Sequence, residues 1–371
     1  MGGLQRGVLN ISSELVKMGC DVTITTSDYV PQHYTGLKTY LPEGIRLNRI
    51  RCRGIVLEAP IIPGVASAVE NSDSDILHVN GMYPFFTDVA IIVARRKRMK
   101  AILSYHFDPV SSRKFLRPFE RTYRPLGETT LRMADKIVAT GSSYVKHSEF
   151  LSKLSGSVAI IPNGVDNSFF ESPSKESIDR LRTDLKIKDD ERIVLFVGQL
   201  KSFKGLDILL VALHDVLKHV RCKLVIVGTG PDYGRLGRLG IRLGIRDNIV
   251  FAGYVTDASL SAFYHLCDVY VLPSVLRREN FGMTILEAMA AGKPVIASQL
   301  PGPDELVEHA ISGLLVRPGN PDALSRALMT LLIDNPRSLS MGTKGALRAR
   351  NFTWTKIATQ YLSLYTSCVQ N

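Results

Sequence analysis

Short apolar runs alternate with stretches whose apolar residues recur at helical spacing, from one end of the chain to the other. In the first half, Asp21–Thr26, Arg46–Ile50, Ile76–Asn80, Ala101–Tyr105, Lys136–Thr140 and Val158–Ile161 read as strands. In the second half the strand candidates are Arg192–Val197, Cys222–Val227, Ile249–Phe251, Asp268–Leu272, Pro294–Ala297 and Leu314–Val316. Amphipathic helices fill most gaps, among them Leu206–His219 and Pro321–Leu332, and a last helix near Trp354–Val369 carries aromatics on one side. Regular strand–helix alternation predicts parallel sheets with right-handed crossovers. The stretch Asn163–Glu191 holds no apolar strand and is rich in Ser, Asp and Lys, so it reads as the connection between two domains. The beginning is unusual. Gly2-Gly3 runs directly into a helix, Leu4–Met18, with Val8, Ile11, Leu15 and Val16 at helical spacing. In an open α/β sheet a glycine loop before a helix normally follows a strand, and here only Met1 precedes it.

Size and composition agree with that reading. At roughly 100–200 residues per domain, 371 residues make about two domains. Hydrophobic residues at 45% and charged residues at 22% are ordinary globular values, which exclude a disordered, collagenous or coiled-coil chain. No run approaches the ~20 apolar residues of a spanning helix. The five cysteines are scattered with no CxxC pair, so neither a disulfide framework nor a zinc site is expected, and a reducing cytoplasm is the expected compartment. Met1-Gly-Gly-Leu-Gln-Arg lacks the apolar core of a signal peptide. The net charge of +11 is unevenly placed: Arg95 to Lys136 holds twelve Lys/Arg against four Asp/Glu, which favours an acidic partner.

Candidate chemistry clusters in the second half. The string Glu279-Asn-Phe-Gly-Met-Thr-Ile-Leu-Glu287 follows a predicted strand and enters a helix near Gly282 that runs to Ala291. The N–H groups of Phe281, Gly282 and Met283 then face the loop mouth, and such a helix start attracts anions. Two carboxylates at this spacing are, by themselves, more often solvated charges. Earlier, Leu195-Phe-Val-Gly-Gln-Leu-Lys-Ser-Phe-Lys-Gly-Leu206 ends a strand at Val197, turns at Gly198 and opens a helix after Lys204. A lysine placed there can reach a diphosphate lying over the strand ends. Val225-Ile-Val-Gly-Thr-Gly-Pro-Asp232 is a glycine turn after a strand, with Gly228 at its head. It lacks the G-x-G-x-x-G spacing of a dinucleotide fingerprint. Asp73-Ser-Asp75 precedes a strand instead of following one, and no His/Cys/Asp cluster has metal-ligand spacing, so no catalytic metal is expected.

These strings resemble the retaining glycosyltransferases of family 4, also called group 1, of the GT-B fold. The family's E-x7-E motif and the A-M-A-x-G-x-P-V-I-A that follows it match Glu279 to Ala297 nearly letter for letter. The resemblance covers almost the whole chain. It implies two doubly wound, Rossmann-like parallel-sheet domains facing across a cleft: residues 1–164, with 353–371 packing back on them, for the acceptor, and 165–352 for a nucleotide-diphosphate sugar. It implies that Glu279 contacts the donor sugar, that Glu287 contacts the ribose and that Lys204 grips the diphosphate. Gln199 stands where the family usually has arginine, so one cationic contact is replaced by a neutral amide. Gly228 would line the nucleotide side, and Val255, in Phe251-Ala-Gly-Tyr-Val-Thr256, would meet the base through its backbone. His106, in Ser104-Tyr-His-Phe-Asp108, would lie near the donor sugar and acceptor. Gly2 and Gly3 match the glycine loop after the family's first strand, which implies that this strand, roughly 10 residues with its lead-in, is missing from the chain. In Leu300-Pro-Gly-Pro-Asp-Glu305, which departs from the family's G-G-x-x-E, Pro303 removes one N–H donor. Ile160-Ile-Pro-Asn-Gly-Val-Asp166 matches a hinge-side string of the family.

The implied activity is hexosyl transfer to an acceptor hydroxyl, metal-independent and without a cofactor, with a lipid-linked or cell-surface glycan precursor as a candidate acceptor. The competing readings are a nucleotide-sugar epimerase or phosphorylase on the same fold, since fold does not fix function, and an inactive truncated homologue. Arg95 to Arg124 interleaves cations with Phe115, Leu116, Phe119 and Tyr123. Such a stretch suits an anionic membrane face, although Pro118 is expected to interrupt a long helix and the same aromatics would serve a core. No RNA- or DNA-binding motif accompanies the charge.

Overall fold

The computed structural model describes residues 3–29, 41–56, 59–106, 108, 117–276 and 281–370. The chain divides into two compact units, Met1–Asn163 with Trp354–Asn371, and Gly164–Thr353.

In the first unit the strands are β1 (Val22–Ser27), β2 (Ile45–Ile50), β3 (Gly54–Val56), β4 (Ala59–Ile61), β5 (Ile76–Asn80), β6 (Lys100–Tyr105), β7 (Lys136–Ala139) and β8 (Val158–Ile160). They form three separate groups: a four-stranded parallel sheet in the order β5-β6-β7-β8, the parallel pair β1-β2, and the small antiparallel pair β3-β4. The last pair is absent from the apolar pattern, because three-residue strands carry too little alternation to register. The core beneath the four-stranded sheet is Val79, Ala101, Leu103, Tyr105, Ile137 and Ala139 from the strands, with Ala90, Ile91 and Ala94 from the helix Phe86–Arg96. The helix Gly3–Lys17 buries Ile11 and Leu15. It packs beside the terminal helix Trp354–Gln370, where Thr355 Oγ1 donates to Glu14 Oε2 at 2.7 Å. A buried polar chain fixes that terminal helix to the sheet: His78 Nδ1 meets Tyr365 Oη at 2.6 Å, His78 Nε2 meets Ser104 Oγ at 2.8 Å, and Ser104 Oγ meets Tyr361 Oη at 3.1 Å.

The second unit holds β9 (Arg192–Val197), β10 (Cys222–Val227), β11 (Ile249–Gly253), β12 (Val269–Leu272), β13 (Val295–Ser298) and β14 (Gly313–Val316). They make one all-parallel sheet ordered β11-β10-β9-β12-β13-β14. The order is that of a doubly wound sheet: the chain builds outward from β9 to one side, then returns to β12 and builds to the other. Apart from Arg192, Lys223 and Ser298 the strands carry only apolar residues and glycine, because helices cover such sheets on both faces. Helix Leu206–Val216 buries Leu206, Leu209, Leu210, Leu213 and Val216, a stripe at helical spacing.

Asn163–Glu191 is not a connecting segment. Only Asn163 belongs to the first unit. From Gly164 onward the stretch is built into the second, with Phe169 and Ile187 buried in its core and a helix over Lys175–Asp184. Ser174 caps that helix by accepting the Ser177 N–H at 3.3 Å, and Ile178, Leu181 and Leu185 turn one side to the core. Pro118 does not interrupt a helix either. The helix Arg117–Met133 begins one residue before it, where the first turn has no N–H bond to lose.

Candidate functional site

At the switch point of the six-stranded sheet β9 and β12 are neighbours, and the carboxyl ends of the strands at such a point are where open α/β sheets bind ligands. Backbone close approach shapes this end. Gly198 and Gly228 both have positive φ, +155° and +130°, and a Cβ on Gly228 would stand 2.0 Å from the Gly198 carbonyl oxygen. The loops are bonded together there: Gly198 N–H donates to Val227 O at 2.9 Å, Leu200 N–H to Thr229 O at 3.0 Å and Gly228 N–H to Gly253 O at 2.7 Å. Across the switch, left-handed Gly205 begins helix Leu206–Val216, and a Cβ there would lie 2.0 Å from the Pro273 carbonyl oxygen. Val275 N–H donates to Phe203 O at 2.8 Å. The loops after β9, β10 and β12 are therefore held against one another by main chain, with no room for side chains at the contacts.

Lys204 is half-buried at this end. Its Cε lies 3.9 Å from the point a Cβ on Gly198 would occupy, and its Nζ stands 5.6 Å from the Phe203 ring centroid. Opposite, left-handed Gly282 (φ +88°) opens the helix Met283–Ala290. Gly282 O accepts the N–H groups of Ile285 at 2.8 Å and Leu286 at 3.2 Å, so the donors of the first turn point out of the helix. No acidic residue stands in that turn. Phe281 is buried and packs on Phe352 with ring centroids 6.2 Å apart. Glu287 is 3% exposed, and the Tyr264 hydroxyl donates to its Oε2 at 2.7 Å. Tyr264 is itself packed by Phe169 and Tyr270, each at 5.6 Å, and Tyr270 Oη donates to Thr284 Oγ1 at 2.6 Å. Two tyrosines, from β12 and from the helix Asp257–Leu266, thus orient the first half of the helix that carries Glu287.

The structure brings Gly198, Gln199, Lys204, Gly228, Phe281, Gly282, Met283 and Glu287 to one unit, on the loops and helix starts at the carboxyl ends of β9, β10 and β12. Val255 follows β11 at the same sheet end, half-buried against the core. Glu279 and Gly2 lie outside the described residues, and Gly3 is the first residue of its helix. His106 belongs to the first unit and leaves the end of β6. Burial lowers its pKa to about 4, so the ring is neutral at physiological pH. Its Nε2 is buried without a hydrogen-bond partner. Asp108 accepts from Tyr105 Oη at 2.8 Å and from Glu149 N–H at 3.1 Å. Tyr264 and Tyr270 escape a motif reading. Their one signal is that a phenol in an apolar run must find a partner when buried, and sequence does not say which.

The basic stretch is partly structural. Lys97 Nζ folds back onto the carbonyls of Glu70 and Ser72, and Arg95 pairs with Asp135 at 3.3 Å. Arg95, Arg96 and Arg98 remain exposed, while Tyr123 is buried. Among the described residues no group of three His, Cys, Asp or Glu is placed to hold a metal ion, and no helix is long and apolar enough to cross a membrane.

Two α/β units of parallel sheet, the second doubly wound with a glycine-built end at its switch point, are the architecture of the GT-B class. Comparison with known proteins agrees. Residues 177–348 match the model of glycosyl transferases group 1, and residues 1–169 match that of glycosyltransferase family 4. The D-rhamnosyltransferase WbpZ of Pseudomonas aeruginosa is 31% identical over 280 residues, 75% of this chain and 70% of that protein. The chain belongs to the group 1 glycosyltransferases. The O-antigen chain mannosyltransferase C of Escherichia coli is 26% identical over 100% of this chain and 95% of its own length. An uncharacterized glycosyltransferase of Methanocaldococcus jannaschii, MJ1607, is 35% identical over 210 residues, and the match spans only 53% of that protein. In fold, the chain is similar to Anabaena Alr3699/HepE in complex with UDP and glucose, with a TM-score of 0.80 and 22% identity over 99% of this chain and 96% of that one.

Proposed function

We propose that the chain transfers a hexosyl group, with retention of anomeric configuration, from a nucleotide-diphosphate sugar to a hydroxyl of a growing glycan. One observation carries the reading: Lys204 lies against Gly198 after β9, and the open first turn of helix Met283–Ala290 follows β12, the strand that neighbours β9 at the switch point. That end offers an ammonium and outward N–H groups and no acidic side chain in the helix's first turn, which is the chemistry a diphosphate needs. Glu287, fixed by Tyr264, takes the ribose hydroxyls, and Glu279 takes the sugar. The acceptor oxygen attacks the anomeric carbon on the face from which the diphosphate departs. The new C–O bond forms as the sugar–phosphate bond breaks, and the acceptor proton passes to the departing phosphate oxygen. Lys204 and the helix start stabilise the charge that develops there, so this reading requires no metal. The relatives' activities, rhamnosyl and O-antigen mannosyl transfer, support a polysaccharide acceptor.

A thermal-shift panel of UDP, GDP and ADP with their hexose derivatives tests the donor. One nucleotide is expected to stabilise the chain by ~2.7 kcal/mol at 100 times its Kd. Lys204→Ala should weaken that nucleotide by about 10- to 100-fold, the worth of a charge-assisted contact. NMR of the product should show the donor's anomeric configuration. If no nucleotide shifts the transition, the reading fails; an epimerised donor or phosphate-dependent turnover would favour the competing enzymes.

A further inference from the structure

The second unit leaves one apolar stripe uncovered. Among the described residues five large hydrophobic side chains are at least 60% exposed, and three of them, Ile333, Leu339 and Leu347, belong to the end of the helix Pro321–Ile333 and to the helix Asn335–Ala349 that follows it. Leu339, Thr343 and Leu347 stand four residues apart, so they share one face of the second helix. The Thr343 hydroxyl is already bonded inside the helix, to Leu339 O at 3.0 Å. The opposite face, with Ser338, Met341, Gly342, Gly345 and Ala349, is buried. The helix cannot roll to hide its leucines. A Cβ on Gly342 would stand 2.1 Å from the Gly292 carbonyl oxygen, so backbone lies against backbone there. Nearer the helix end Arg348 is clamped: Nε donates to Leu306 O and Nη2 to Glu305 O, each at 2.8 Å, and Nη1 pairs with Glu308. A fixed, exposed apolar stripe marks a surface that meets something.

The charges along this helix are of one sign. It carries Arg337, Lys344 and Arg348 and no carboxylate, and Arg350 follows it. Arg337, Lys344 and Arg350 are exposed. Two carboxylates adjoin the helix, and both are engaged: Asp334 caps it by accepting the Arg337 N–H at 3.0 Å, and Glu308 holds Arg348. These cations decide the occupant. A second copy docked through the same stripe would bring them toward their own kind, because a two-fold contact uses one patch twice. Aliphatic tips flanked by cations suit instead the boundary between acyl chains and anionic headgroups. There leucines enter the apolar layer while long basic side chains keep their charge at the phosphates.

We propose that the face of helix Asn335–Ala349 bearing Leu339, Thr343 and Leu347 docks on an anionic lipid surface, with Arg337, Lys344 and Arg350 at the headgroup phosphates. The surface is distinct from the basic stretch Arg95 to Arg124 of the first unit, and it does not depend on the glycosyl-transfer reading. The test is flotation of the full chain with vesicles of phosphatidylcholine alone and of phosphatidylcholine mixed with phosphatidylglycerol. The wild type is expected to float with the mixed vesicles at low salt, to stay behind with the neutral ones, and to be released at high salt. Leu339→Ser combined with Leu347→Ser should weaken binding about tenfold or more, whereas Leu339→Met with Leu347→Met, which keeps apolar tips, should retain it. Lys344→Gln should weaken it about fivefold. A variant with Arg95, Arg96 and Arg98 all changed to Gln should bind like the wild type. All four should melt with the wild type, since each change is at an exposed side chain. The proposal is overturned if the wild type floats with neither vesicle, if the serine variant floats as well as the wild type, or if binding is lost with the first unit's arginines instead. It is overturned equally if size-exclusion shows a dimer that the serine variant dissociates, which would make the stripe a contact between copies.

Discussion

The two units build their functional ends from different materials. In the second, the end of the sheet is main chain: Gly198, Gly205, Gly228 and Gly282 hold positive φ, and at Gly205 and Gly228 a Cβ would stand 2.0 Å from a neighbouring carbonyl oxygen. In the first, the corresponding end is side chain: Asp88 gathers donors from Phe85, Tyr123 and Thr130, Asp108 gathers them from Tyr105 and Glu149, and His78 links Ser104 to Tyr365. A glycine-built end leaves short strings of fixed spacing in the sequence. A network of side chains from remote segments leaves no string. In the proposed function the same contrast separates tasks, since a diphosphate is common to all donors of one class while acceptors differ.

Substitution at the glycines should break the contrast most sharply. Gly228→Ala places a methyl group against the Gly198 carbonyl at φ +130°, and it is expected to cost about 3 kcal/mol or more and to abolish nucleotide binding. Gly7→Ala, in the first unit, meets Trp354 at 3.6 Å and Asn163 Oδ1 at 3.8 Å, both ordinary contacts; it should be neutral or stabilise by up to ~1 kcal/mol through helix propensity. Urea unfolding of the two variants measures both. Equal losses would show that glycine is not specially required at the second unit's sheet end.

The buried histidines give the next effect. Burial and the neighbouring His106 charge lower the His78 pKa to about 3. A histidine that is neutral in the folded state and protonates near 6.5 when unfolded contributes fully above pH 6.5, and the contribution is lost as pH falls toward 3. Each such group should therefore remove about 2 kcal/mol between pH 7 and pH 5. His78→Gln should flatten the pH dependence of unfolding by about that amount. An unchanged slope would mean that His78 is not held neutral by the network to Tyr365 and Ser104.

The smallest expected change is Tyr264→Phe. The ring and its contacts with Phe169 and Tyr270 remain, while the phenol's hydrogen bond to Glu287 is removed. Nucleotide affinity should fall by roughly 1–2 kcal/mol, with the donor KM rising more than kcat falls. An effect on kcat alone would contradict a positioning role through the ribose.

Much of the fold was legible. The runs Ile76–Asn80, Arg192–Val197 and Cys222–Val227 coincide with β5, β9 and β10, because the strands of parallel sheets are covered by helices and so are predominantly apolar. The helix Lys175–Asp184 was lost because its core side, Ile178, Leu181 and Leu185, is only half-buried and sits among charges, and Ser174 as its cap was the overlooked sign. The site divided likewise. Lys204 and the Gly282 helix start were readable from spacing, whereas Tyr264 and Tyr270 were not.

By itself the sequence determined the alternation of strands and helices, the parallel sheets, the glycine turns and the family, since each depends on residues close together in the chain. The tertiary structure alone decided that β12 lies beside β9, that Tyr264 reaches Glu287, that His78 joins the terminal helix to the sheet, and that Asp88 accepts from Tyr123 and Thr130. Those pairings join positions distant along the chain. They are chosen by which buried donors and acceptors can be satisfied together once the sheets have formed, a condition on the whole fold that no local pattern records.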